Sequence, residues 1–132
     1  MLVRLNPPTI HAPAASYCQL TEDTALGIVY VAGQVGLDPK GELAGPAMAA
    51  QLRQVLANFD AILAELRLDR GAFARRVVYV TDMDEYFTPD VSGQMTAYFS
   101  PAPCASTLVG VARLFRPDVR IEVDAVLHRP RA

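Results

Sequence analysis

Apolar residues fall along the chain in two rhythms. From Gly27 to Gly33 the sequence reads GIVYVAG, and Ile28, Val29, Tyr30 and Val31 are apolar whichever face they point to. A short apolar run of this kind predicts a buried strand. Asp38-Pro39-Lys40-Gly41 follows as a turn signal. Met48 to Leu66 switches to steps of three and four: Leu52, Val55, Leu56, Phe59, Ile62, Leu63 and Leu66 make one apolar stripe. That spacing predicts an amphipathic helix, with Arg53, Asn58, Asp60 and Glu65 on its other side. Asp69-Arg70-Gly71 closes the unit, and Arg75 to Thr81 predicts a second strand. Thr88-Pro89 is a helix start, with a hydroxyl at the cap and proline at the first helical position. Val91, Met95, Tyr98 and Phe99 then share a face, and the helix stops before Pro101 and Pro103. Ser106 to Ala112 and Arg120 to Leu127 predict two further strands. In the last, Ile121, Val123, Ala125 and Leu127 face one way while Glu122 and Asp124 face the other.

The order is one or more strands, helix, strand, helix, strand, strand. It describes an α+β or α/β sheet of five or six strands with helices on one side. Two helices cover one face only, yet three of the strands are apolar on both. An apolar sheet face in water exceeds what a soluble monomer tolerates, so the pattern predicts a homo-oligomer.

Composition narrows the class. The 132 residues are expected to form a single domain, residues 1–132. Apolar residues make up 52% and charged residues 20%, which argues against disorder. The net charge of −2 argues against a nucleic-acid partner. No apolar run approaches the ~20 residues of a membrane span, and Met1 to Ile10 lacks the apolar centre of a signal peptide. Two separated cysteines, Cys18 and Cys104, fit a reduced, cytoplasmic setting. His11 and His128 stand alone and no metal-ligand spacing occurs, so no metal is expected. Nucleotide-binding glycine motifs are missing as well.

Several residues carry candidate chemistry. Glu122 and Asp124, two apart on a strand, present two carboxylates on one face, suited either to acid/base work or to a solvated surface. Gly33-Gln34 would let backbone approach a ligand, or simply permit a bend. Tyr17 offers a hydroxyl that could orient a substrate. Cys104 and Ser106 would be nucleophiles only with an activating base. The acidic cluster Asp82-Met83-Asp84-Glu85 reads as a solvated turn.

In order along the chain stand Tyr17-Cys18-Gln19, VAGQVGLDPKGEL (Val31 to Leu43), QLRQVLANFDAIL (Gln51 to Leu63), VVYVTDMDEY (Val77 to Tyr86), AYF (Ala97 to Phe99), VARL (Val111 to Leu114) and IEVDAV (Ile121 to Val126). From about Ala14 to Arg129 this ordered set resembles the RidA/YjgF family of reactive-intermediate deaminases. The resemblance implies a chorismate-mutase-like α+β fold: a mixed sheet of about six strands with two helices on one face. It also implies a homotrimer with ligand clefts between subunits. It further implies hydrolysis of imines or enamines of amino acids to keto acids and ammonia, without a cofactor. Tyr17 and Glu122 match the family's catalytic positions, Glu122 placing the attacking water. Gly33 matches the cleft glycine, with Gln34 beside it, and Ser92 stands where an asparagine is common. The family arginine that grips the substrate carboxylate is replaced: Cys104-Ala105-Ser106-Thr107 occupies that stretch, with Ser106 at the arginine's place. Ser106, Thr107 and Cys104 would then line an altered subsite. Two functions fit: a RidA-like hydrolase of altered specificity, or a non-catalytic trimer binding a small molecule or a partner.

Overall fold

The computed structural model describes residues 1–130. Its strands are β1 (Leu2–Leu5), β2 (Leu20–Asp23), β3 (Ile28–Val35), β4 (Phe73–Val80), β5 (Ala105–Gly110) and β6 (Ile121–His128); its helices are α1 (Met48–Leu66), α2 (Met83–Tyr86) and α3 (Pro89–Phe99). They form one mixed six-stranded sheet in the order β1-β2-β3-β6-β4-β5. Only β4 and β5 pair in parallel, joined by the crossover through α2 and α3. The last strand therefore lies in the middle of the sheet, where β3 and β4 flank it on either side. Its polar residues consequently meet side chains from two neighbours.

The expected apolar stripes are the core. All seven stripe residues of α1 are buried, and so are Val91, Met95, Tyr98 and Phe99 of α3. They meet Val29, Val31, Val78, Val80, Val123, Ala125 and Leu127 from the inner face of the sheet in one cluster. Phe73 sits at the centre of an aromatic group, with edge contacts to Phe59, Tyr98 and Phe99.

Three expectations need correction. The N-terminal part supplies two strands, β1 and β2, that pattern did not locate. Both are four residues long, and LTED in β2 has no apolar run to announce it. Asn58, assigned to the polar side of α1, is buried; its amide donates to the carbonyls of Val35 and Leu37 at 3.2 and 3.1 Å. Gln51 is likewise buried and ties the carbonyls of Gly45 and Asp118 to the backbone N–H of Arg120. A polar residue can occupy a helix's inner face when its partners are loop backbone groups left unpaired. The turn expected at Asp82 to Glu85 leaves Asp82 and Asp84 exposed, but it is a capped helical turn and Glu85 is engaged: Asp82 accepts from the Glu85 N–H. The Glu85 carboxylate in turn accepts from the first N–H of α1, at Met48, and from Arg120. A negative charge at a helix N-terminus is stabilising.

Candidate functional site

The site begins with an irregularity in β3. Val31 pairs with Ala125 and Gln34 with Val123, so Ala32 and Gly33 together oppose Asp124. This bulge breaks the alternation of the strand and turns both residues toward the face away from the helices. Glu122 lies on that face too. A Cβ on Gly33 would stand 2.5 Å from Glu122 Oε2, so the lack of a side chain at 33 is what leaves space for the carboxylate.

Gln34, expected beside the ligand, points the other way. Its side chain is fully buried and donates to Gln19 Oε1 at 2.8 Å and to the Ala32 carbonyl at 3.1 Å. Gln19 continues the chain of bonds to the His11 carbonyl at 3.1 Å. Gln34 is thus a support beneath the bulge, not part of the cavity wall. It links the bulge to the N-terminal segment that carries Tyr17.

Above the bulge is a cavity of about 430 Å³, lined by His11, Ala14, Ala15, Tyr17, Ala32, Gly33, Val35, Leu37, Phe115 and Glu122. Tyr17, Gly33 and Glu122, which are far apart in sequence, meet here. The Tyr17 hydroxyl accepts from the Ala14 N–H at 3.3 Å, which leaves its own proton free to donate. Burial pushes the Glu122 carboxyl above its ordinary value, and the neighbouring charge of Asp124 adds to that. Asp124 accepts a 2.8 Å bond from the Tyr79 hydroxyl, and that bond raises the tyrosine's pKa. The two carboxylates therefore differ: Asp124 is held in a hydrogen bond, while Glu122 opens to the cavity. An acid whose ionised form is disfavoured, in an otherwise apolar pocket, is suited to taking up and returning a proton.

His11, isolated in the sequence, lines this cavity. It is 3% exposed, and its Nε2 is buried without a hydrogen-bond partner among the described residues. Nothing in the local pattern marks it. Only the folding of the N-terminal segment over the bulge brings it there.

The remaining candidates lie elsewhere on the chain. Ser92 and Cys104 line a second cavity, between α3 and the start of β5. Ser106 and Thr107 are exposed on β5, the edge strand, and the Thr107 hydroxyl accepts from Arg75 at 2.8 Å. No arginine or lysine among the described residues lines the Glu122 cavity. Arg116 is paired with Asp118, Arg120 with Glu85 and Asp82, and Arg113 donates to the carbonyls of Leu114 and Phe115.

A mixed sheet with helices on one face, carrying an acid-lined cavity beside a glycine bulge, defines a small α+β protein of recognisable kind. The family model described as Endoribonuclease L-PSP matches residues 9–128, and the chain belongs to that family, RidA/YjgF. It is 32% identical over 124 residues to the 2-iminobutanoate/2-iminopropanoate deaminase of Salmonella typhimurium, covering 92% of this chain and 94% of that one. A RutC family protein of Pyrococcus horikoshii is 31% identical over 118 residues, with 89% and 90% covered. Among solved structures the chain is similar to the YjgF gene product of Escherichia coli, with a TM-score of 0.84, 29% identity and coverage of 97% and 99%. RidA from an Antarctic Psychrobacter, at TM-score 0.85 and 24% identity over 96% and 99%, shares the fold.

Proposed function

We propose that this protein hydrolyses the imine of a small 2-imino acid, or a close analogue, to the keto compound and ammonia. The observation that carries the reading is the meeting of Glu122, Gly33 and Tyr17 around one cavity. The names of the curated relatives support the same reaction class. In this reading the Glu122 carboxylate accepts a proton from a water molecule as its oxygen attacks the imine carbon. The substrate is the protonated iminium, so the C=N electron pair moves to nitrogen as the bond becomes single and a neutral carbinolamine forms. Glu122 then returns its proton to the nitrogen, the C–N bond breaks as the carbonyl forms, and the hydroxyl proton passes to the departing ammonia, which leaves as ammonium. Tyr17 donates to the substrate and fixes its orientation. The raised pKa of Glu122 suits both halves of this cycle. No cofactor enters the reaction. Ser92, Ser106, Thr107 and Cys104 belong to this reading as cleft residues contributed by a neighbouring subunit of a homotrimer, in a cytoplasmic protein.

The second reading is a trimer that binds a small metabolite or a partner without chemistry. The absence of a cation from the walls of the Glu122 cavity favours it, among the described residues. Glu122→Ala separates the two. The hydrolase reading expects turnover to vanish while the oligomer stays intact. Unchanged turnover removes the role given to Glu122, and thermal stabilisation by a ligand with no product formed supports the binding module.

A further inference from the structure

The second cavity, about 390 Å³ between α3 and the β4–β5 edge, has Arg76 in its wall. Arg76 is a cation poorly satisfied by its surroundings. Its guanidinium stacks over the Phe99 ring at 3.9 Å, and Nη1 donates to Cys104 Sγ at 3.2 Å, a weak acceptor. Its Nε is buried without a partner, and no carboxylate among the described residues pairs with it. By contrast, Arg70, Arg116, Arg120 and Arg129 each hold a carboxylate. A buried donor left unmade is costly, and native proteins keep few of them.

The cavity supplies what an anion would need. Ser92 and Thr96 bring hydroxyls from α3 and Ser100 one from its C-terminal cap, and Phe99 fixes the plane of the guanidinium. Ser106 pairs in register with Arg76 on the neighbouring parallel strand, so both side chains share one face. Strands lie about 4.8 Å apart, so the serine at 106 is the nearest β5 side chain to Arg76.

We infer that Arg76 and the α3 hydroxyls form a subsite for a small carboxylate. The two Nη groups of a planar guanidinium match a carboxylate in a two-bond fork. Arg76 stands on β4, one strand over from Ser106. The assignment of the carboxylate to a 2-keto or 2-imino acid rests on the hydrolase reading above.

The test uses 2-oxobutanoate as a stable probe and 2-butanone, which lacks the carboxylate, as its control. In the ¹⁵N-arginine-labelled protein the Arg76 Nε–H resonance, assigned by its loss in Arg76→Lys, should move saturably with 2-oxobutanoate and not with 2-butanone. Arg76→Gln should weaken binding roughly ten- to hundredfold. Arg4→Gln, exposed on β1 at the far edge of the sheet, should leave it unchanged. No saturable shift in the unmodified protein, or binding by Arg76→Gln within about twofold of wild type, overturns the inference. Should Arg76→Gln fail to fold without its stack on Phe99, the titration of the unmodified protein decides alone. Turnover is read separately. Binding at Arg76 without hydrolysis keeps this subsite and removes the hydrolase reading; hydrolysis with a probe that ignores Arg76 does the reverse.

Discussion

Burial and the charge of Asp124 both oppose ionisation of Glu122, so this residue lowers native stability whenever it is charged. Its folded pKa lies above the unfolded value, near 4.3 for a free glutamate. Below that pH both states are protonated and the residue costs nothing. As pH rises through the folded pKa the native state carries a penalty the unfolded chain escapes. Glu122→Gln should therefore melt higher than wild type at pH 7, with the difference closing as pH falls below about 4. Melting curves between pH 4 and 8 check this, and a variant less stable at neutral pH contradicts it. Gly33→Ala tests the same carboxylate sterically. The added Cβ would displace the flexible end of Glu122, not backbone. Folding should change by less than about 1 kcal/mol, while turnover falls roughly a hundredfold because the carboxylate is misplaced.

At the scale of elements, α1 was legible in the sequence because each member of its apolar stripe reports its own burial. Asn58 and Gln51 were not, because a polar side chain reads as exposed unless its partner is known. Their partners are backbone groups of the β3–α1 loop and of the approach to β6, distant in sequence. Asn58→Ala should remove the side-chain donor to the Val35 and Leu37 carbonyls, of which Val35 keeps the bond from the Leu37 N–H, and cost about 1–3 kcal/mol, measured by urea denaturation. Gly36→Ala should cost a similar amount, about 1–3 kcal/mol. Its Cβ would meet the Gln51 Cα at 2.7 Å, and a helix backbone cannot swing aside as a side chain can. The bulge at Ala32-Gly33 was equally hidden. Gly33 reads as a bend from sequence, but the extra residue appears only when β3 is counted against β6. The same slip of register sends Gln34 into the core, reversing the face that its neighbour Gly33 suggests.

For the whole molecule, the face of the sheet away from the helices is the informative surface. Tyr30 is 47% exposed there, and Val77, Val109 and Val126 are only half-buried in the isolated chain. The pattern of strands apolar on both faces marks this problem in the sequence, whereas the identity of the covering surface lies in chain–chain geometry that one sequence does not encode. We expect light scattering coupled to size exclusion to give three copies of the 14.3 kDa chain. A charge on that face, Val77→Asp, should shift the protein toward monomer. Ser92, Ser106, Thr107 and Cys104 lie outside the Glu122 cavity of their own chain, so turnover should fall with the trimer.

The most direct measurement is hydrolysis of freshly generated 2-iminopropanoate, followed as ammonia release against an enzyme-free blank, with wild type and Glu122→Gln side by side. The account predicts release above the blank for wild type and none for the variant. Wild type equal to the blank, or a variant as active as wild type, would contradict it.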